Sequence, residues 1–508
     1  MEPEVLLILD GWGIGPDYEG NAITKSKTPN MDKLWQNYPH TLLEASSQAV
    51  GLPVNTDGNS ETGHINIGAG RIVEQDLVKI NNSIKDKSFF QNQAFLQAVD
   101  HVKKNGSILH LMGLVGEGRV HSSFDHLLAL LKLARDNYVS KVYIHVFTDG
   151  RDSDPQSGAL WVEKLEAKCK EQNLGQVATV MGRLYSMDRD NQWDRVEKAY
   201  DCLTLGTNNL EPKAVIAIKN QYQNNITDEF IKPISIGTEQ PSAINDNDAL
   251  IFFNFRVDRA RELTRAFVNP NFQDFERKKV INNLLFVAMS EYEKDLPIKA
   301  AFKNSIISNN LGEVLARNNL RQLRITETEK EKMVGFYING ASENIYDQEE
   351  RITVPSKGVE SYAQAPEMSA KEITAQALTS LRQNSFDVYI INLANPDMVG
   401  HTGEMKACIK ACEIVDEMVG NIATQVKDLG GALIITADHG NAEEVIVQGT
   451  TKKDTEHSTN PVPFILVTDQ FEGKNILLPM GILADIAPTL LHLLEIPKAS
   501  EMTGKSLI

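Results

Sequence analysis

Cysteine is scarce in this sequence: Cys169, Cys202, Cys408 and Cys412 are its four cysteines in 508 residues. A chain of this size cannot be held by so few disulfides, and the scarcity points to a reducing, cytoplasmic setting. Long hydrophobic runs are missing as well, since no stretch approaches the ~18 apolar residues of a membrane span. The opening segment, MEPEVLLILDGWG, sets two acids before a short apolar run. It lacks the basic n-region and long h-region of a signal peptide, so no leader is expected. Excess positive charge is absent too. A formal net charge of −17 argues against nucleic acid or an anionic membrane surface as partner. An anionic small substrate would therefore need a local island of cations or metal. No internal repeat, low-complexity tract or Gly/Ser linker interrupts the chain.

What is present is ordinary globular composition, 42% apolar and 23% charged, over a length that implies two or three domains. Short apolar runs alternate with amphipathic helical patterns, the mark of α/β architecture. Strands are expected at 5–9, 107–113, 141–147, 176–182, 249–255, 284–290, 387–393, 432–437 and 463–469. Their continuous apolar character suits strands buried on both faces of a mostly parallel sheet. Helices are expected at 124–135, 155–171, 369–383 and 404–428. In the last of these, Cys408, Cys412, Val415, Met418, Val419, Ile422 and Val426 trace one face, so the two cysteines read as packing rather than metal ligands.

Polar motifs follow several of these strands, where open parallel sheets bind their ligands. One set, at the two ends of the chain, is rich in Asp and His: Asp10, Asp397 with His401, Asp438 with His439, and His457 just before the strand at 463–469. A lone Asp after a strand is usually a turn residue, and a lone His a polar contact. Four such sites at strand ends are harder to dismiss. Three histidines and three carboxylates, with a serine, can form two adjacent sites of mixed N and O donors suited to Mn²⁺ or Zn²⁺. Ion pairs about 3.5–4 Å apart serve displacement at phosphorus. The serine stands in DGNSETGH, residues 57–64, which alone reads as a surface turn with Ser60 or Asn59 as a cap. Beside a metal set it reads instead as a nucleophile loop, because a metal on the Ser60 oxygen would lower the hydroxyl pKa.

A second set, between roughly residues 119 and 260, is rich in arginine. His121, Arg151 with Asp152, Arg183 and Arg189, and Arg256 with Arg259 each follow an expected strand. Guanidinium matches carboxylate and phosphate oxygens. The bland alternative is that these arginines are solvated or paired with surface acids. Arg256 and Arg259, three apart, would share one face if a helix began there.

ILDGWG, GNSETGH, NPDMVGHTG and ITADHGNAEE resemble the metal-site motifs of cofactor-independent phosphoglycerate mutases, in the alkaline phosphatase superfamily. The resemblance runs through RIVEQDL, TDGRD, MDRD, NFRVDRARE, TETEK and APEMSA, almost the whole chain. It implies one metal on Asp397, His401 and His457 and a second on Asp10, Ser60, Asp438 and His439, usually manganese, sometimes magnesium, cobalt or zinc. It implies that His121, Arg151, Asp152, Arg183, Arg189, Arg256, Arg259 and Lys330 bind phosphoglycerate, with Lys330 beside the phosphoryl group. Ser60 would be the nucleophile and Asp152 the proton acceptor in interconverting 3- and 2-phosphoglycerate. The family more often has Met before Gly58 and Val after Glu61, and AHTxN where this chain has EHSTN; neither change removes a ligand. The expected architecture is two α/β domains sharing a cleft: a metal domain of 1–74 and 306–508, interrupted by a substrate domain of 75–305, in a monomer. A metallophosphatase or phosphosugar mutase fits the metal set alone, and a metal-stabilised binding protein would leave Ser60 unreactive.

Overall fold

The computed structural model describes residues 2–237, 242–303, 306–474 and 476–508. The chain forms two compact units, one taking in the sequence up to Gln75 and again from Ile306, the other the stretch that begins at Asp76. Each is built on an eight-stranded sheet.

In the first unit the strand order is Glu349–Val354, Gln322–Glu327, Val388–Leu393, Glu4–Leu9, Ala432–Thr436, Val462–Val467, His40–Glu44, Gly481–Ile482. The first five run parallel, and Val462–Val467 is antiparallel to both its neighbours. Val5–Leu9 and Val388–Leu393 are wholly buried, as strands covered on both faces must be. The helix Met405–Asp428 lays Cys408, Cys412, Val415, Met418, Val419, Ile422 and Val426 into the core, so both cysteines are packing residues.

The second unit orders its strands Lys299–Phe302, Leu285–Ser290, Ala249–Phe252, Leu109–Leu114, Val142–Thr148, Gln176–Gly182, Ile234–Ile236, Leu210–Glu211. All neighbours are parallel except Gln176–Gly182 with Ile234–Ile236. No helix among the described residues is long and apolar enough to cross a membrane.

Every strand and helix expected from the sequence is present, with ends displaced by at most three residues. One such difference is at 249–255, where the strand stops at Phe252 and the next helix waits until Arg261. Arg256 and Arg259 therefore lie in the connecting turns and not on a helical face. The cause is local: the Phe255 and Arg256 amides donate to the His121 carbonyl, and the Tyr292 hydroxyl donates to the carbonyls of Phe252 and Asn254. Those bonds tie residues 252–256 to the segments at His121 and Tyr292, and the chain there is not helical.

Seven strands are not among those expected from the sequence: QLRITE, EERITV and HTLLE carry too little apolar signal, and Leu210–Glu211, Ile234–Ile236, Lys299–Phe302 and Gly481–Ile482 are only two to four residues long. Arg324 in the first is fully buried, and donates to Gln322 Oε1 at 2.7 Å and Asn339 Oδ1 at 3.3 Å.

Candidate functional site

Four adjacent parallel strands of the first unit deliver their following residues to one sheet edge. Gln322–Glu327 is followed by a 3₁₀ turn ending in Lys330, Val388–Leu393 by a short helix bearing Asp397, Glu4–Leu9 by Asp10, and Ala432–Thr436 by Asp438 and His439. His457 reaches the same edge because the strand after it runs antiparallel. Ser60 opens the helix Ser60–Ala69, capped by Asn59, whose side chain accepts from the Thr62 amide at 2.9 Å. Nine of this helix's ten residues are buried, Glu61 being the exception. A helix surrounded by core has no polar face, which is why DGNSETGH shows no apolar periodicity. Its glycines serve close approach: a Cβ on Gly58 would overlap the Ala45 carbonyl, and one on Gly63 the Asp438 carbonyl.

Ser60 Oγ lies 3.0 Å from His439 Nε2 and accepts from Lys330 Nζ at 2.8 Å. Lys330 also donates to Asp10 at 2.7 Å and Asp397 at 2.6 Å. Burial opposes the ammonium's charge, but Asp10, Asp397 and Asp438 outweigh it and hold the Lys330 pKa above its ordinary value. Three fully buried carboxylates against one ammonium leave unbalanced negative charge, which is costly without a further cation.

The histidines show where one belongs. His401 Nδ1 is 2.7 Å from the Thr455 carbonyl and His457 Nδ1 is 2.8 Å from that of Gly58. Both Nδ1–H groups are thereby used, and the two Nε2 atoms face each other at 3.1 Å, 3.3 and 3.2 Å from Asp397 Oδ1. That triangle demands a proton or a metal ion. Its hydrogen bond to Asp397 pushes the His401 pKa up to about 9. Asp397–His401–His457, Asp10–Asp397–His439 and Asp10–His64–Asp438 are the groups close enough to grip an ion. The donor set of carboxylate oxygens and imidazole nitrogens fits divalent ions.

His64 was not singled out in the sequence. Its Nδ1 lies 2.9 Å from the Ser60 carbonyl and 3.2 Å from Asp438 Oδ2, and its Nε2 lies 3.0 Å from Asn392 Nδ2. Asn392 in turn donates to Asp10 at 2.7 Å. The pair braces two carboxylates from beneath. His64 was visible in GNSETGH, whereas Asn392 inside an apolar strand gave no signal.

The arginine set gathers in the second unit at the carboxyl ends of Ala249–Phe252, Leu109–Leu114, Val142–Thr148 and Gln176–Gly182, again four neighbouring strands. Arg183 is buried and bridges Asp149 and Asp152, each at 2.6 Å, while its other nitrogen donates to His121 Nε2 at 3.1 Å. Burial, then Arg183, pushes the His121 pKa down to about 4. Arg189 and Arg256 share Asp258, at 2.9 and 3.2 Å, and Arg151 stands 3.7 Å from Glu229. Pairing with acids is thus real for these four arginines. Arg259 differs: it donates to the Met187 carbonyl at 3.1 Å, and among the described residues it forms no ion pair. Burial lowers its pKa, and Arg189, Arg183 and Arg151 lower it further. Several guanidiniums crowd one neighbourhood, and such crowding is relieved by an anion. Lys330, expected beside the phosphoryl group, lies within the Asp/His cluster against Ser60, Asp10 and Asp397.

Residues 80–294 match the family profile described as the BPG-independent PGAM N-terminus. Over 512 residues the chain is 50% identical to the 2,3-bisphosphoglycerate-independent phosphoglycerate mutase 1 of Methanosarcina barkeri, covering 100% of this chain and 98% of that one. The chain belongs to the 2,3-bisphosphoglycerate-independent phosphoglycerate mutase family. The Clostridium perfringens enzyme of that name is 49% identical over 510 residues, with 100% of this chain and 99% of the other covered. A solved structure of Leishmania mexicana phosphoglycerate mutase at low cobalt concentration superposes with a TM-score of 0.65 at 29% identity, covering 100% of this chain and 97% of that one.

Proposed function

We propose that the chain interconverts 3-phosphoglycerate and 2-phosphoglycerate through a phosphoserine on Ser60, with two divalent ions and without bisphosphoglycerate. The observation that carries this reading is the setting of Ser60. Its hydroxyl opens a helix, 2.8 Å from an ammonium and 3.0 Å from an imidazole, within a buried cluster of carboxylates. Asp397, His401 and His457 would hold one ion, and Asp10, Ser60, Asp438 and His439 the other. Mn²⁺ suits these donors best, with Mg²⁺, Co²⁺ or Zn²⁺ as substitutes. When bound, the ions would lower the serine pKa and offset charge on the transferring phosphoryl group.

Ser60 Oγ attacks the substrate phosphorus, and the bond from phosphorus to the glycerate oxygen breaks. Lys330 and the helix N-terminus face the negative charge that develops. His121, Arg151, Arg183, Arg189, Arg256 and Arg259 retain the glycerate through its carboxylate while it reorients. Its other hydroxyl then attacks the phosphoserine, and Asp152 accepts that proton and returns it to the glycerate oxygen freed in the first transfer. Burial raises the Asp152 pKa but the Arg183 hydrogen bond and charge outweigh it, so the carboxylate is ionised and able to accept. Serine is regenerated, and no primer is consumed.

In this reading the first unit is an alkaline-phosphatase-like metal domain and the second an inserted substrate domain. The protein acts as a cytoplasmic monomer on a small anionic substrate, without nucleic acid or membrane. Conversion of 3- to 2-phosphoglycerate by metal-loaded protein, with no bisphosphoglycerate added, tests it. Activity lost on chelation and restored by Mn²⁺ is the expected result; turnover indifferent to chelation overturns the metal requirement.

A further inference from the structure

Glu443 is a fully buried carboxylate beside the metal cluster that no step of the proposed reaction uses. Its Oε2 accepts from the Gly13 amide at 3.0 Å and the Asn441 amide at 2.9 Å. Its Oε1 accepts from Asn460 Nδ2 at 3.0 Å and from the Ser458 hydroxyl. All four donors are neutral, and among the described residues no ion pair joins Glu443 to a base. A buried charge held only by neutral donors needs every one of them.

The donors come from three separate loops. Gly13 stands three residues after Asp10, Asn441 two after His439, and Ser458 directly after His457. One side chain therefore fixes the spacing of three loops that carry candidate ligands. The loops are shaped around it: a Cβ on Gly13 or on Gly440 would overlap the Glu443 carboxylate. Neither glycine has a positive φ, so the demand there is for space and not for a left-handed backbone.

We propose that Glu443 is a positioning residue for divalent-ion binding, registering the Asp10, Asp438–His439 and His457 loops against one another. It touches neither substrate nor reacting atoms. The inference rests on the reading of the Asp/His cluster as a metal centre. A glutamine at this position keeps the shape, and Ser458 and Asn460 can reorient to accept from its amide, so Glu443→Gln should fold. It removes the charge and half the acceptor capacity. Loss of such supporting contacts typically costs about 10–100-fold in metal affinity.

Mn²⁺ titration of chelator-treated protein, followed calorimetrically, tests this together with melting of the metal-free protein. Glu443→Gln should melt close to wild type without metal yet bind Mn²⁺ at least about tenfold more weakly. At saturating Mn²⁺ it should recover kcat, with KM for 3-phosphoglycerate unchanged throughout. Glu443→Ala, if it folds, should bind Mn²⁺ more weakly still. Glu443→Gln that takes up Mn²⁺ with wild-type affinity overturns the inference and leaves the metal reading intact. Wild-type protein that takes up no Mn²⁺ overturns both.

Discussion

Lys330 reaches Ser60 with its ammonium 2.8 Å from the hydroxyl oxygen. Asp10, Asp397 and Asp438 keep its pKa above the ordinary value against the opposing effect of burial, so in the metal-free protein it is a charged counter-ion for Asp10 and Asp397. In the proposed reaction its role is charge stabilisation. Lys330→Met should slow phosphoserine formation by about 100-fold or more. It should also destabilise the chelator-treated protein by about 3–5 kcal/mol, since two buried carboxylates lose their partner. Rapid-quench mass spectrometry and denaturant melts read the two effects, and a variant with wild-type rates would remove Lys330 from the chemistry.

Ser60→Ala should abolish the mutase while leaving the fold and at least one ion site in place. Asp397, His401 and His457 form their triangle without the serine. Intact-mass spectra of substrate-treated wild type should show one added phosphoryl group, absent from the variant. Substantial turnover by metal-loaded Ser60→Ala would falsify the phosphoserine route.

Arg259 forms no ion pair among the described residues and has Arg189, Arg183 and Arg151 nearby, which in the proposed reaction suits it to an incoming anion. If it and Arg256 retain glycerate between the two transfers, their loss should let it escape. Arg256→Ala and Arg259→Ala should lower 2-phosphoglycerate formation more than phosphoserine formation, with water as the remaining acceptor. A lost bidentate contact is worth about 1.5–3 kcal/mol, enough to raise the ratio of free phosphate to 2-phosphoglycerate about tenfold. An unchanged ratio with all products slowed equally would confine these arginines to initial binding.

Glu4 offers a pH dependence remote from the metal cluster. Burial, and then the charge of Glu2, pushes its pKa from 4.5 up to about 8. A raised carboxyl pKa favours the protonated folded state, so this contribution is complete below pH 4.5 and is lost as pH rises through about 8. Glu4→Gln should therefore melt above wild type at pH 9, by about 2 kcal/mol in stability. The advantage should shrink steadily toward pH 5. An advantage constant across that range would point to packing in place of ionisation.

The apolar strands were legible because burial on both faces leaves an uninterrupted hydrophobic run, as in VLLIL and DVYIINL. Asp10, Asp397 and Asp438–His439 were legible for a related reason, since each follows such a run, and His457 stands just before one. QLRITE was not, because its buried arginine is stabilised by Gln322 and Asn339, partners that only the fold brings near. The helix at Ser60 hid for the opposite cause: with core on every side, its sequence has no stripe. Arg256 and Arg259 were placed after the right strand but in the wrong local geometry, since the segment there is tied to His121 and Tyr292, partners distant in sequence. Asn392 and Glu443 act by bridging elements distant in sequence, and no local pattern announces that.

Strand Glu4–Leu9 is hydrogen-bonded on one side to Val388–Leu393 and on the other to Ala432–Thr436. During synthesis, this strand therefore has neither of these partners until Val388–Leu393 has been made. The unit beginning at Asp76 is continuous in sequence and compact in itself, and domains generally fold as units during synthesis. VLLIL, meanwhile, remains an unpaired apolar segment on the nascent chain, the kind that chaperones capture. Asp10 travels with it, so the candidate Asp/His site cannot be assembled before the Ala432–Thr436 strand inserts beside Glu4–Leu9.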